Sequence, residues 1–231
     1  MSSALIEKTL GGGTGTVDFD APRIDLVRML RAHGYRQADK APKKVINEAR
    51  EARARAMDLA RPQSFYRILQ VRNLHEGTLV LENGSTFNCP AFDQHLKGCA
   101  QVCVFVATLG AALDDGINKS FSEDDFQPLQ AVFLGTFGWL MIEAVTRSLM
   151  QHLKCEQAKN RQGLTLRMGP GYRYRMPGAS EKVSWDLTEQ KTLHNLFAGT
   201  GLPVEITEGL SMKPTMSRSG LAGIRHLNSQ G

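Results

Sequence analysis

The sequence predicts an α+β fold with a largely antiparallel sheet, and three observations carry that expectation. Short β-branched and aromatic runs separated by hairpin signals lie between residues 65 and 87. An uninterrupted apolar run, Val102-Cys103-Val104-Phe105-Val106-Ala107, has the composition of a strand covered on both faces. The segment after it spaces its apolar residues with a helical period over some thirty positions. Strands and helices come in runs and do not alternate regularly, which argues against a doubly wound sheet.

The elements follow in order. Residues 1–21 are expected to be a flexible lead-in to one domain at 22–231. Their Gly11-Gly12-Gly13-Thr14-Gly15-Thr16 is not followed by Gly-Lys-Ser/Thr and is not preceded by an apolar strand, as a phosphate loop requires. Ile24, Leu26, Val27 and Leu30 mark a short helix that closes at Gly34, with Pro22 in its first turn. Pro42 opens a second helix, rich in Ala, Glu and Arg, that runs to about Ala60. A meander is expected from Phe65 to Val71, Thr78 to Leu81 and, beyond the Asn83-Gly84 turn, Thr86-Phe87. A helical turn near Phe92 to Leu96 precedes the apolar central strand, and Thr108-Leu109-Gly110 turns the chain into a helix.

From Asp124 or Asp125 to about Leu153, residues including Phe133, Phe137, Leu140, Val145 and Leu149 describe a long core helix that is apolar almost all round. Its charge-free stretch, Gln127 to Ile142, contains Pro128, Gln130 and Thr136 and stops at Glu143, short of a bilayer span. The last third is read as strands at Leu164 to Met168 and Val204 to Thr207, a helix from Thr188 to Ala198, an irregular loop at 169–180 and a final strand after Gly220.

Composition narrows the function classes. The 231 residues are 42% hydrophobic and 22% charged, enough for a substantial core. Glu7 and Lys8 interrupt the first ten residues and no signal-peptide run is present, so a cytoplasmic location is expected. Cys89, Cys99, Cys103 and Cys155 are too scattered for a disulfide framework and form no C-x-x-C pair. Cys99 and Cys103, an even number apart, are expected on one strand face as core residues. The formal charge of +5 is spread along the chain and interleaved with acids, as in Arg50-Glu51-Ala52-Arg53-Ala54-Arg55. That pattern suits a solvated face or an acidic protein partner, and no nucleic-acid-binding motif accompanies it. H-E-x-x-H and G-x-S-x-G are absent and the six histidines are dispersed, so a hydrolase or a metal enzyme is unsupported.

Three features carry chemistry. Glu143 stands among Leu140, Met141, Ile142, Ala144 and Val145, so its carboxylate must be paired, protonated or turned to a polar cavity; Arg147, at i,i+4 spacing, is one available partner. Arg167-Met168-Gly169-Pro170-Gly171-Tyr172 ends a strand in a glycine-proline loop, where backbone amides can approach a ligand beside a cation and a ring. Ile206 to Pro214 and Ser217-Arg218-Ser219-Gly220 form a polar, hydroxyl-bearing segment between apolar runs.

Taken in order, these segments resemble the activation (reactivation) domain of cobalamin-dependent methionine synthase in a free-standing form, over roughly residues 22 to 226. The resemblance rests on Gly34-Tyr35, Ala107-Thr108-Leu109-Gly110, Arg167-x-x-Pro170-Gly171-Tyr172, Thr207-Glu208 with Met212 and Pro214, and Ser217-x-Ser219-Gly220. It implies a curved antiparallel sheet packed with helices and a site for S-adenosylmethionine. Glu143, Arg167 and Tyr172 match that family's ligand contacts. The cofactor-binding set implied by its motifs adds Gly169, Pro170, Gly171, Thr207, Glu208, Ser217 and Ser219. Asp25 is the candidate for an acidic residue the family uses near its amino terminus. The chain departs from the pattern at Leu221-Ala222-Gly223-Ile224, where larger members carry aromatic residues, and at the bulky basic Arg173-Tyr174-Arg175.

The implied function is an accessory protein that binds S-adenosylmethionine and serves reductive reactivation and methylation of a corrinoid, the cobalamin being held by a separate cobalamin-dependent methyltransferase in methionine biosynthesis. A flavodoxin-like protein would donate the electron, no side chain of this chain would act as nucleophile, and neither membrane nor nucleic acid is involved. The alternative is a ligand-free binding or assembly module of the same fold that docks onto a partner protein.

Overall fold

The computed structural model describes residues 5–11, 14–122, 126–176, 178 and 181–227. Its strands are β1 (Leu5–Gly11), β2 (Thr14–Phe19), β3 (Gln63–His75), β4 (Thr78–Leu81), β5 (Thr86–Asn88), β6 (Gln101–Thr108), β7 (Gln162–Leu164), β8 (Arg173–Arg175), β9 (Lys182–Ser184), β10 (Glu205–Ile206), β11 (Met212–Lys213) and β12 (Ser217–His226). Its α-helices are α1 (Leu26–Ala32), α2 (Lys43–Leu59), α3 (Phe92–His95), α4 (Ala111–Lys119), α5 (Pro128–Ala158) and α6 (Gln190–Asn195). A curled antiparallel sheet runs β1-β2-β3-β6-β12-β7, with β4 and β5 continuing from the far end of β3, and α5 packs against it. This is the α+β class read from the sequence.

The central strand explains the layering. Cys103, Phe105 and Ala107 of β6 point to one face, where they join Phe133, Phe137, Met141 and Leu149 of α5. Val102, Val104 and Val106 point to the other, toward Leu79, Phe87, Phe92, Trp185 and Leu221. A strand buried on both faces has no polar side to show, hence its unbroken apolar run. On the helical side, Ala49, Ala52 and Ala56 form a small-residue stripe along α2 that lets it lie close to α5. By length and composition α5 alone would pass for a membrane-crossing helix, but more than half of its most apolar window is buried within the fold.

Several expectations need correction. The stretch expected as a flexible lead-in carries two strands: β1 and β2 pair with each other, β2 pairs with β3, and together they extend the sheet, while residues 1–4 lie outside the described residues. Val17 and Phe19 bury their side chains, and the Tyr66 ring covers Gly15 at the place a Cβ would take. The Tyr66 hydroxyl donates to the Glu7 carboxylate, which His152 of α5 also meets at 3.3 Å. Gly12 and Gly13 lie outside the described residues.

Pro22 is not in the first turn of α1. That helix starts at Leu26, with Asp25 accepting a hydrogen bond from the Val27 amide as its cap. The expected start of the long helix at Asp124 or Asp125 lies outside the described residues; α5 begins at Pro128, a favoured first-turn position, and Phe126 precedes it exposed. The strand expected at Leu164 to Met168 is β7 followed by a single bridge, Met168 to Leu221. The loop at 169–180 contains β8, which pairs with β9; its residues 177, 179 and 180 lie outside the described residues. The helix expected from Thr188 to Ala198 is a 3-10 turn at Leu187–Glu189 followed by the short α6. The last strand starts at Ser217, before Gly220, because Ser217 to Ile224 pair in unbroken register with Thr108 to Gln101 of β6. Cys99 precedes β6 and is not on it, although Cys89, Cys99 and Cys103 are all buried.

Candidate functional site

The site is made where the Arg167-to-Tyr172 loop folds onto the start of β12. Met168 and Leu221 exchange backbone hydrogen bonds, each 2.8 Å. That bridge brings two backbones so close that side chains are excluded between them. A Cβ on Gly220 would stand 2.2 Å from the Met168 carbonyl oxygen, and one on Gly169 would stand 3.0 Å from that of Ser219. The glycines of both motifs therefore serve close approach, so the two segments that are separate in sequence are one unit in the fold.

The loop is held from its other side by Trp185. The Gly171 amide donates to the Trp185 carbonyl (2.8 Å) and the Trp185 amide to that of Tyr172 (3.1 Å). Gly171 adopts φ +82°, where a side chain would be strained. The indole is fully buried edge-on to Phe87 and Phe92, with centroids at 5.7 and 5.0 Å, and its N–H donates to Glu189. Tyr174 completes the support: its hydroxyl accepts from the Gly169 amide (2.6 Å) and donates to the Gly169 carbonyl (3.1 Å). Burial raises the Tyr174 pKa from 10.0 to about 12, against a smaller opposing effect of the Gly169 amide, so the hydroxyl stays protonated and able to donate.

Glu143 is paired, and by more than the one arginine considered from sequence. Arg167 approaches its carboxylate at 3.3 and 3.5 Å, Arg218 hydrogen-bonds it directly, and Arg147 stands at 3.8 Å. Arg147 is 67% exposed against 13% for Arg218, so the i,i+4 pair is the outer and weaker one. Arg218 lies opposite Ala107 on the helix-facing side of the sheet, which carries its side chain toward α5. Reasoning from sequence missed this residue; the signal was a cation between two serines at the start of a strand, opposite an otherwise apolar core face.

Two cavities meet at this cluster. One, of about 250 Å³, is lined by Trp139, Pro170, Tyr172, Met212, Arg218 and Ser219 among others. The second, of about 100 Å³, is bordered by Arg167, Gly169, Tyr172, Arg173, Arg218 and Ser219. Arg218, Tyr172 and Ser219 line both, whereas Glu143 lines neither and instead holds the arginines that do. Tyr172 is half exposed, its ring close to the place a Cβ on Gly169 would take.

The remaining motif residues are distributed differently. Ser217 lines the larger cavity, but its hydroxyl bridges the Thr108 hydroxyl (2.8 Å) and the Pro214 carbonyl (2.7 Å), tying β12 to the end of β6. Thr207 accepts from the Ser211 amide (3.1 Å) and lines a third cavity of about 570 Å³ with Asp114, Asp115 and Glu205, which shares Met212 and Thr215 with the cavity of about 250 Å³. Glu208 is exposed in the β10–β11 turn and lines none of these cavities. Asp25 is engaged as the α1 cap. The structure thus gathers Glu143, Arg167, Gly169, Pro170, Gly171, Tyr172, Ser217 and Ser219, sets Thr207 in the adjoining cavity and leaves Glu208 outside all three. Among the described residues no cluster of His, Cys, Asp or Glu has the makings of a metal site.

No protein-family model matches this chain, and no curated protein matches it. Among solved structures it is similar to the MetH reactivation domain bound to AdoHcy. That similarity has a TM-score of 0.64 at 16% identity and covers 95% of this chain and 80% of the other, so the two share a fold.

Proposed function

We propose that the chain binds S-adenosylmethionine, or its demethylated form S-adenosylhomocysteine, at the junction of the Arg167-to-Tyr172 loop with β12, and serves reductive reactivation of a corrinoid held by a separate cobalamin-dependent methyltransferase. One observation carries the reading: the two motifs that resemble the methionine synthase activation domain are packed on each other around shared cavities, in a fold similar to that of a domain described as bound to AdoHcy. The backbone of Gly169 to Gly171 is fixed on both sides before any ligand arrives, which lowers the ordering cost of binding. Arg167 and Arg218 offer guanidinium donors to an anionic terminus, and Tyr172 offers a ring edge or face.

The chemistry would come from the ligand's activated methyl group and the partner's reduced cobalt. This chain's residues would hold the ligand in one orientation and shield it from water, a contribution of proximity in which no side chain forms a bond. A flavodoxin-like electron donor and a cytoplasmic setting in methionine biosynthesis belong to the same proposal. A second reading, an assembly module of the same fold that docks a partner without the ligand, draws support from Leu129, Val132 and Trp139, which expose an apolar strip along α5 that runs up to the larger cavity.

Calorimetric titration of the purified chain with S-adenosylmethionine and S-adenosylhomocysteine separates the two. Saturable binding that weakens in Glu143→Gln supports the reactivation role. No binding up to millimolar ligand transfers the assignment to the assembly module.

A further inference from the structure

We propose that Arg218 is a specificity-determining residue: with Arg167 it forms a two-guanidinium clamp for the carboxylate terminus of the ligand, held in place by Glu143. The proposal rests on the adenosyl-ligand reading of the site and goes beyond it in naming which group on the ligand is selected and by which residue.

The charge balance makes the case. Three guanidinium groups, Arg147, Arg167 and Arg218, converge on the single carboxylate of Glu143. Each guanidinium presents five N–H donors, and a carboxylate offers about four lone-pair sites, so Glu143 cannot satisfy the cluster alone. Arg147 is mostly in water, which serves its donors and screens its charge. Arg167 and Arg218 are 28% and 13% exposed, and their surplus charge faces the cavities they line. Glu143 lines neither cavity, so the charge that their walls present there is cationic. Arg173 adds a further cation at the rim of the smaller cavity.

Geometry makes Arg218 the more constraining arm. Its backbone is locked in the β12 ladder opposite Ala107, and it hydrogen-bonds Glu143 directly, whereas Arg167 meets Glu143 only at 3.3 and 3.5 Å. A guanidinium fixed by a partner on one side can offer its remaining N–H groups as a planar fork to a carboxylate on the other. Because Arg218 borders both cavities, an anion bound there would lie at their junction, beside Tyr172 and Ser219.

The test compares S-adenosylhomocysteine with S-adenosyl-3-thiopropylamine, which keeps the adenosyl thioether and the amine and lacks only the carboxylate. Calorimetry on the wild-type chain, Arg218→Met and Arg218→Lys is expected to show three things. The wild type prefers S-adenosylhomocysteine at least tenfold. Arg218→Met loses about tenfold to a hundredfold for that ligand and less than twofold for the decarboxylated analogue, the scale of one charge-assisted hydrogen-bonded contact. Arg218→Lys recovers part of the loss, as a point charge without the fork.

Equal losses for both ligands in Arg218→Met, or no loss for either, overturn the clamp while leaving the adenosyl reading in place. A wild-type chain that binds both ligands equally does the same. A wild-type chain that binds neither overturns the adenosyl reading and the clamp with it. Should Arg218→Met fail to fold, as judged by circular dichroism, the ratio of the two ligands in Arg218→Lys against wild type decides the matter on the same terms.

Discussion

Arg218, on the first residues of β12, hydrogen-bonds Glu143, in the middle of α5, and so ties the strand that carries the Ser217-x-Ser219-Gly220 motif to the helix that packs against the sheet. With Arg167 on the same carboxylate, Glu143 is the electrostatic centre of the junction. Replacing it with Gln removes the carboxylate on which Arg147, Arg167 and Arg218 converge and leaves three guanidinium groups facing one another.

Glu143→Gln is therefore expected to destabilise the protein by about 1–2 kcal/mol, below the ~3–5 kcal/mol of a fully buried broken pair because the carboxylate keeps some solvent. Arg147→Ala, at the exposed edge, is expected to cost under about 0.5 kcal/mol. Adding Arg218→Met to Glu143→Gln should cost less than Arg218→Met costs alone, since the repulsion falls with each cation removed. Urea unfolding of the four variants measures all three; additive losses would show that the residues do not interact.

Gly220→Ala is expected to be far worse than Gly138→Ala. At Gly220 the new methyl would meet the Met168 carbonyl oxygen at 2.2 Å, part of a backbone that the bridge to Leu221 holds in place. At Gly138 it would meet the sulfur of Met216 at 2.9 Å, the end of a flexible side chain that can move aside. A loss of roughly 2–3 kcal/mol at Gly220, with weakened ligand binding, against less than about 1 kcal/mol at Gly138 is the expected contrast in urea unfolding.

How much of this was legible in the sequence follows from where each signal lies. The all-apolar β6 run and the long apolar period of α5 announce themselves locally, because burial on every side writes itself into consecutive residues. Glu143 was conspicuous for the same reason, as the one acid in that apolar run. The pairing of β1 and β2 was not legible: the glycine-rich stretch between them has the composition of a linker, and the place of β2 in the sheet depends on an edge offered by β3 some fifty residues later. Arg218 was hidden differently. Its importance comes from standing across from α5, 75 residues away in sequence, and no local pattern encodes that distance. Trp185 fixes the motif loop through backbone hydrogen bonds, to which its side-chain identity gives no clue.

Tyr174→Phe tests the internal support of the loop. The change leaves the Gly169 amide buried without its acceptor and is expected to cost about 1–3 kcal/mol near neutral pH. The pH dependence has a definite sign. In the folded protein the hydroxyl keeps its proton up to about pH 12, while in the unfolded chain it loses it near 10.0, so between those values the folded state binds more protons. The stabilisation is complete below pH 10 and is lost as pH rises toward 12. Denaturation across that window should show a shallower decline in Tyr174→Phe than in wild type, and identical slopes would place the titration elsewhere.

The cysteines give an independent check on the packing of both core layers. Cys103 is fully buried between β3 and β12, and burial raises its thiol pKa from 9.0 to about 12; burial raises Cys89 and Cys99 as well. Cys155, on the last turns of α5, is exposed. The reactive species is the thiolate, so a thiol that is both inaccessible and held protonated reacts only when the structure opens around it. Ellman's reagent at pH 8 should therefore titrate one thiol promptly in the native protein and four in guanidinium chloride, and Cys155→Ser should abolish the prompt phase. Prompt reaction of a second thiol would locate a local opening. If that thiol is Cys99, whose sulfur lies 2.5 Å from where a Cβ on Gly223 would stand, the end of β12 that pairs with β7 is the part that opens; if it is Cys89, beside Phe92 in the other core layer, the support beneath the Trp185 loop is the part that yields.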